Sequence, residues 1–466
     1  MNYNTEDIQR IAEEVVKVVQ KGIRQKQTEG QAPETMAEFE IAFREILRQI
    51  GAEAVGIFLS GLQPTPASEI ACECGGQLHY QRMRPAVTTT VFGKVAYCRA
   101  YYAGCSCGKG LAPLDKTYGV EAGGISSGLA QLMALAGIAF SFEESEKWLK
   151  EFLLFEVSEN SIRSETQKMG RLQQESEETA IQSSQNEKTL QERLRTEQQI
   201  PKRLYGSLDA AKVRIEPRTR QGVAVPEHEN WRDMKVGCWY QAEAVAVSRQ
   251  SSRQRQKAQR EGTVFRTTHH QYYCDIAHVD EFGKLVWATG CQVSADLAAE
   301  LVFVCDGAAW IWDLVEQYYP NAVQIVDWYH AEDRLKRLAD AVFPSATQRQ
   351  AWLAPVVESL WQGQVEEVIL ACQPLANQHD EARQAVTYFS NNGQRMRYDL
   401  FRTQGYLIGS GTIESGCKQI VTHRLKRSGA QWIVQGAVRT AKARAAWLSG
   451  NWHTLCQKRA KLPLAI

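Results

Sequence analysis

The sequence has no apolar run near the roughly 18 residues that a helical membrane span needs, so none is expected. Its opening, Met1-Asn2-Tyr3-Asn4-Thr5-Glu6-Asp7, has neither the basic n-region nor the apolar h-region of a secretory signal. No internal repeat of fixed period is evident. A disulfide scaffold is not expected either, because twelve cysteines lie at irregular spacings in a chain of 466 residues. Together these absences point to the cytoplasm, with thiols reduced or on metal. Acid is missing from one long stretch. Ser415 to Ile466 holds ten Lys and Arg and no Asp or Glu.

The length suits about three domains, each able to bury a core. Hydrophobic residues make up 44% and charged residues 23%, ordinary for a globular protein. The net charge of +1 averages over opposed regions. Arg249 to Arg266 carries six basic residues and one Glu, whereas Ser141 to Ile200 carries thirteen Glu against eight basic residues. Two local basic blocks in a neutral chain fit a directed surface for a polyanion. They fit equally well faces that are simply solvated by charge.

Helix-period apolar stripes run through Ile8, Ile11, Ala12, Val15, Val16, Val19 and Ile23, and through Phe39, Phe43, Ile46, Leu47 and Ile50. Gly61 to Pro66 reads as a linker. Val87–Val91 and Val95–Tyr102 look like hairpin strands between cysteine pairs. From Ser126 to Gly170 the pattern is helical. Ser141 to Gly170 is a candidate helix-turn-helix with Val157-Ser158-Glu159-Asn160 as turn, or a plain helical hairpin. Residues 171–200, rich in Gln and Glu, suit an exposed connecting helix or a partly disordered linker. Strand-like runs follow at Leu204–Val213, Val236–Val247, Gln271–Val279 and Leu285–Thr289. A helix-like run covers 294–300. Leu301–Cys305 and Ala322–Val326 read as buried strands, with a helix at 308–312 between them. This is a mixed α/β order. Residues 331–400 read as helical throughout.

Two C-x-C-G knuckles stand out, Cys72-Glu73-Cys74-Gly75-Gly76 and Cys105-Ser106-Cys107-Gly108. A hairpin that brings them together supplies four soft ligands in a tetrahedron, as structural zinc requires. The glycines let the backbone fold round the ion. Cys98 and His79 are possible substitute ligands, and four free or buried thiols is the plainer alternative. The other cysteines, Cys238, Cys274, Cys291, Cys305, Cys372, Cys417 and Cys456, read as core residues.

Three acids are notable by position. Asp209 lies inside an otherwise apolar strand, where a charge is costly unless paired or on metal. Asp306 ends a buried strand, where α/β sheets place ligands. Glu414 enters a helix through Gly409-Ser410-Gly411-Thr412-Ile413-Glu414-Ser415. Oxygen ligands from strand, strand end and helix are what paired Mg²⁺ ions need, and two such ions serve phosphodiester chemistry. Each acid also has a plain reading: a capping Asp, or Glu414 paired with Lys418 one turn on.

Leu208-Asp209, Val304-Cys305-Asp306-Gly307-Ala308, Asp327-Trp328-Tyr329-His330-Ala331 and the Gly409–Ser415 string resemble the motifs of bacterial insertion-sequence transposases of the DDE type. The ISKra-type group, abundant in cyanobacteria, is the most similar. The resemblance runs from about residue 70 through Trp452 and is strongest from residue 201 onward. It implies a multidomain α+β protein. A ribonuclease H-like α/β catalytic core with an all-helical insertion would be preceded by a zinc ribbon and helical DNA-binding regions. The expected divisions are 1–65 (helical), 66–120 (ribbon), 121–200 (helical, with linker helix), 201–335 (first part of the core), 336–404 (insertion) and 405–466 (core completion and basic tail).

The resemblance implies Asp209, Asp306 and Glu414 as a triad holding two Mg²⁺ (or Mn²⁺) ions. It implies hydrolysis at transposon ends, then attack of the freed 3′-hydroxyls on target DNA. Asp327 and His330 are expected in a supporting role beside the site, the alternative being a capping Asp and a packed His. Lys418, Arg424, Lys426 and Arg427 are expected on phosphates. Arg253, Arg255, Lys257 and Arg260 are expected in a mobile DNA-gripping loop. Trp432 and Trp447 are expected in the core, with base stacking as the alternative. The expected partners are DNA, as terminal inverted repeats and target, and further copies of the chain in a synaptic complex. The expected place is the bacterial cytoplasm, on the nucleoid when DNA is bound. A structure-specific endonuclease, a transposase-derived DNA-binding regulator and, more remotely, a zinc hydrolase built on Asp327 and His330 are the competing readings.

Overall fold

A computed structural model describes residues 8–9, 12–13, 15–17, 19–21, 24, 35–63, 65–120, 122–197, 200–216, 230–246, 250–251 and 263–460. Ile11, Ile23, Pro64, Val247, Arg249, Lys461 and the expected DNA-gripping Arg253, Arg255, Lys257 and Arg260 lie outside the described residues. No helix among the described residues is long and apolar enough to cross a membrane. The chain divides into two compact units, Met1–Leu172 with His453–Ile466, and Gln173–Trp452. The last residues, expected to complete the core, thus belong with the first unit.

In the first unit, described residues between 8 and 24 are helical. Helix α1 (Met36–Gly61) starts where the Thr35 hydroxyl accepts the Glu38 N–H. Three antiparallel strands follow, β1 (Glu69–Ala71), β2 (Gln77–Thr90) and β3 (Gly93–Ala103), in the order β1-β2-β3. The β2–β3 hairpin closes at Thr90↔Gly93, as the alternating Thr and Val residues predict. Leu59 of α1 packs with Ala86, Val95, Tyr97, Leu114 and Val120. Beneath them the buried Arg99 is neutralised by Asp115 at 2.6 Å, and Asp115 also accepts the Tyr97 hydroxyl. After α2 (Pro113–Tyr118) come α3 (Ser127–Ala139), α4 (Phe142–Leu153) and α5 (Glu159–Ser184). A capping box between Ser141 and Glu144 opens α4, and Leu154 in the left-handed region (φ 61°) ends it. Two helices joined by a turn are therefore present from Ser141 to Gly170, an order common to a helix-turn-helix and a plain helical hairpin, and the second helix is 26 residues long.

The Gln- and Glu-rich segment is helical, as the end of α5 and as α6 (Glu187–Thr196). In the second unit β4 (Arg203–Arg214), β5 (Trp231–Ala244) and β6 (Phe265–Asp275) form an antiparallel meander. Helix α7 (Val279–Gln292), β7 (Glu300–Cys305), α8 (Ala309–Tyr318) and β8 (Val323–Val326) follow. The sheet order is β6-β5-β4-β7-β8, with β7 and β8 parallel to β4. The run Leu285–Thr289, expected as a strand, lies inside α7. Phe282, Leu285, Val286 and Gly290 are its buried face, an i, i+3, i+4 spacing that outweighs the local apolar run. Residues 294–300, expected helical, are instead a turn with Ser294 at φ 57°, leading into β7.

From Trp328 to Thr403 the described chain is helical without a strand: α9 (Trp328–Val342), α10 (Ala346–Trp361), α11 (Val365–Ala376), α12 (Asp380–Asn392) and α13 (Tyr398–Thr403). It re-enters the sheet region through α14 (Gly411–Cys417). A π-helical turn (Lys418–Thr422) and α15 (His423–Leu425) continue it. Helices α16 (Val434–Leu448) and α17 (Trp452–Ala460) end the described chain.

Candidate metal centres

The parallel pairing of β4 and β7 sets the position of two acids. Arg203↔Glu300 through Gly206↔Phe303 are partners 97 residues apart, and Asp209 and Asp306 have the same separation. The Ser207 hydroxyl reaching Val304 O and the Leu208 N–H reaching Cys305 Sγ carry that register forward. Between β7 and β8, Cys305↔Val326 are 21 apart, as are Asp306 and Asp327. Continued past the paired residues, this register sets the three aspartates at equivalent positions across β4, β7 and β8, in one lateral row.

Their environments differ. Asp209 is half-buried, and burial pushes its carboxyl above the ordinary range, with the charge of Asp306 adding to the push. The Ala210 N–H and the Cys417 thiol, both donating to it, offset part of this. Asp306 is half-buried, accepts the Ala308 N–H at 3.0 Å and lines a small cavity. Asp327 is fully buried. One of its oxygens caps α9 by accepting the Tyr329 and His330 N–H groups at 2.5 and 3.3 Å. The other accepts the Ser410 N–H at 2.7 Å and the Ser410 hydroxyl, and lies 3.3 Å from His330 Nδ1. Burial would raise this carboxyl, yet the hydrogen bonds from His330 and Ser410 outweigh it and hold the group below its usual value.

Ser410 immediately precedes α14, so the buried carboxylate ties the Glu414 helix to the end of β8. Gly416 lets that helix lie against β6, since a Cβ there would come within 2.5 Å of the Tyr272 ring. Glu414 is thereby brought to His330, with Oε1 3.8 Å from Nδ1, while Lys418 is 3.8 Å from its other oxygen. The His330 ring is raised to about 9, chiefly by its hydrogen bond to Asp327 and further by the charges of Asp327, Glu414 and Asp306. The His330 ring thus lies beside Asp327 and Glu414, and the charges of Asp306 and Asp209 couple to it.

Donor atoms of Asp327, His330 and Glu414 all lie within 4.8 Å of one another. Asp327 is a poor ligand there, because its oxygens already accept four N–H and O–H donors that an ion would have to displace. Asp209, Asp306 and Glu414 are half-buried; Glu414 contacts His330, whereas Asp306 and Asp209 interact with it through charge and are not part of that close group. Three carboxylates with partial access form a hard donor set of the kind Mg²⁺ takes. An ion there would relieve the burial that raises Asp209.

The first unit holds a second, softer donor set. Cys72 and Cys74 lie before β2, and Cys105 and Cys107 lie after β3. Their sulfurs are 3.6 Å apart for Cys72–Cys107, 3.4 Å for Cys72–Cys74 and 3.3 Å for Cys74–Cys105, and all four lie within 4.8 Å. Bonds of about 2.3 Å in a tetrahedron would set sulfurs about 3.8 Å apart. The four cysteines therefore could hold one metal ion. Gly75 (φ 88°) and Gly108 (φ 74°) supply the left-handed turns of the two knuckles. His79 pairs with Glu69 instead, and Cys98 sits exposed on β3, so neither joins the set. The remaining seven cysteines are buried, as expected.

Of the expected phosphate-binding residues, Lys418 and Lys426 are exposed and Arg427 is half-exposed, its Nε donating to His423 O. Arg424 must be removed from that group. It is 2% exposed with its guanidinium over the Trp432 ring, so it is part of the core. Trp432 is buried as expected, but Trp447 is 47% exposed and not core. Sequence reasoning missed Ser410, although it lies inside a quoted motif. It also missed Tyr388 and Arg334, which border Asp306. Arg334 follows His330 by four residues, a helical spacing that carried the signal.

Compared with models of protein families, the chain matches none, and no curated protein matches it.

Proposed function

We infer that the second unit is a metal-dependent phosphodiester enzyme and that the protein is a DDE-type DNA transposase. The observation that carries this reading is the lateral row of Asp209, Asp306 and Asp327 on adjacent parallel strands, with the Glu414 helix tied to the row. The strand order β6-β5-β4-β7-β8, with a helix after β6 and after β7, supports a ribonuclease H-like core. The helical stretch from Trp328 to Thr403 supports the insertion. Asp209, Asp306 and Glu414 would hold two Mg²⁺ (or Mn²⁺) ions, which activate the attacking oxygen and stabilise the leaving one in phosphodiester chemistry. Asp327 orients His330 and the Glu414 helix. His330 holds a proton beside the acids and can donate it to a phosphate oxygen. Lys418, Lys426 and Arg427 follow Glu414 and are available to DNA phosphates. The four-cysteine site holds Zn²⁺, and with the helices α3–α5 forms the part that meets the transposon ends. The protein works as a homo-oligomer, since two ends are cut together, at the nucleoid of a bacterial cytoplasm.

The test incubates purified protein with duplexes carrying the terminal repeats that flank its gene, with Mg²⁺ and a supercoiled target plasmid, beside Asp306→Asn. Nicking at the repeat boundary and joined product, both lost in the variant, is the expected result. Nicking without joining would make the protein an endonuclease. Binding without chemistry in Mg²⁺ and in Mn²⁺ would make it a DNA-binding regulator.

A further inference from the structure

Helix α9 carries more than His330. His330, Asp333, Arg334 and Arg337 recur at i, i+3, i+4 and i+7, one face of a helix. Together with Asp306, Gly307, Ala308 and Tyr388 they line a cavity of about 200 Å³. A second hollow of about 540 Å³ shares Gly307, Arg334 and Tyr388 with it and continues to Trp312, Arg383 and Arg395. The two hollows adjoin, with Gly307, Arg334 and Tyr388 lining both, and together they run as a path from beside Asp306 along α9 and α12 of the helical region. Tyr388 of α12 lies directly on Gly307, where the absence of a side chain lets the ring approach the residue after Asp306.

The path has a distinctive charge pattern. Arg337 is paired with Asp333 at 2.6 Å, Arg395 with Glu316 at 2.6 Å, and Arg383 with Asp380. Asp313 also lines the larger hollow. Arg334 differs from these arginines. Among the described residues it has no hydrogen bond or ion pair, and its partner is the ring of Tyr388, 4.8 Å from the guanidinium carbon. Stacking uses the face of a guanidinium and leaves its N–H edge free. That edge is a two-pronged donor shaped for phosphate. Arg334 lines both the small cavity beside Asp306 and the larger hollow, whose volume is within the usual ligand range of about 300–1,000 Å³.

We propose that this path is a single-strand subsite in which Arg334 grips the phosphate adjacent to the scissile one and the larger hollow receives the attached nucleoside. The ligand is a phosphodiester-linked nucleotide of an unpaired strand, an identification that rests on the nucleic-acid reading above. Arg395, held over the Trp312 ring at 4.9 Å, gives the nucleoside a second flat cationic face.

The experiment measures binding of a fluorescein-labelled eight-nucleotide oligo(dT) to the full chain by anisotropy, across a salt series and in EDTA so that no cleavage intervenes. The proteins are the parent, Arg334→Ala, Arg334→Lys, Asp306→Asn and Lys336→Ala. Lys336 lies on the same helix, pairs with Glu332 and is outside the path. Arg334→Ala is expected to weaken binding roughly tenfold and to lower the salt slope by about 0.7, the loss of one single-strand phosphate contact. Arg334→Lys should restore the slope but only part of the affinity, because a lysine keeps the charge and loses the fork. Lys336→Ala should match the parent. Melting curves for each variant separate loss of the contact from loss of the fold. An unchanged slope in folded Arg334→Ala overturns the proposal, and so does a parent protein that binds no oligonucleotide. A parent that binds through Arg334 yet cleaves no DNA would leave the subsite standing and refute the transposase reading.

Discussion

Asp327→Asn separates a structural clamp from a metal ligand. The native carboxylate accepts the Tyr329 and His330 N–H groups on one oxygen. On the other it accepts the Ser410 N–H and hydroxyl, with His330 Nδ1 at 3.3 Å. An asparagine keeps one accepting oxygen and puts an NH₂ in place of the other. Turned either way, it faces its NH₂ toward backbone N–H donors and leaves them unsatisfied in a fully buried site. Each hydrogen bond to a charged acceptor is worth about 1.5–3 kcal/mol. Losing two, with the Ser410 hydroxyl free to reorient, gives a destabilisation of about 3 kcal/mol. For a unit of this size that is a fall of about 6 °C in Tm. The assay is scanning calorimetry of the full chain, in EDTA and in Mg²⁺, beside Asp306→Asn. Asp327→Asn should melt lower in both conditions and retain a Mg²⁺-induced rise. Asp306→Asn should melt near the parent in EDTA and lose the rise. The reasoning fails if Asp327→Asn melts within about 1 °C of the parent in EDTA but no longer responds to Mg²⁺, for then Asp327 is a ligand and not the clamp.

Gly416→Ala should cost about 1–3 kcal/mol by overpacking against Tyr272, and Tyr272→Ala in the same chain should recover much of it in a melting assay. Cys72→Ser should abolish about one equivalent of zinc by atomic absorption and lower the melting of the first unit, whereas Cys98→Ser should change neither. Lys442 is buried and contacts Glu177 at 2.5 Å and Asp275 at 2.8 Å, so Lys442→Met should cost about 3–5 kcal/mol by stranding a buried carboxylate. The double variant with Glu177→Gln should regain part of this in denaturant unfolding. His330, raised from 6.5 to about 9, should stabilise the metal-free protein fully below pH 6.5 and lose that contribution as pH rises through about 9. Its side chain is 43% exposed, so solvent screening reduces the effect to about 1 kcal/mol, and the pH dependence should vanish in His330→Gln.

What the sequence made legible was local. The β2–β3 hairpin shows in its alternation, the knuckles in their spacing, and β7 and β8 in short apolar runs ended by aspartates. Leu285–Thr289 misled because a five-residue apolar run is common to strand and helix. The deciding residues, Phe282 and Gly290, lay just outside it. Arg424 misled because its charge outweighed its place on a short helix whose neighbour Trp432 covers it. Nothing local separates a buried arginine from an exposed one in a run of Arg and Lys.

The site was legible as a set of residues but not as an arrangement. Asp209 lies within a strand, Asp306 and Asp327 follow strand ends and Glu414 enters a helix, and that much is written beside each in the chain. The lateral row is not, because the pairing of β4 with β7 joins residues 97 apart and depends on the sheet closing. The division of labour among the acids follows from the same closure. Asp209, Asp306 and Asp327 have equivalent register positions, yet it is Asp327 that meets Ser410: the loop that enters α14 touches β4 through the Leu407 N–H and the Tyr205 hydroxyl, and at the end of β8 the Trp328 N–H donates to Ile408 O, two residues before Ser410. With that contact the oxygens of Asp327 accept four N–H and O–H donors, whereas Asp306 accepts the Ala308 N–H and Asp209 the Ala210 N–H and the Cys417 thiol. Three identical side chains are thus divided by one neighbouring loop into a clamp and two acids that the proposed function uses as ligands. Ser410→Ala, which keeps the N–H but removes the hydroxyl bond to Asp327, should therefore loosen Glu414 and weaken the Mg²⁺-induced rise in Tm with every acid residue retained.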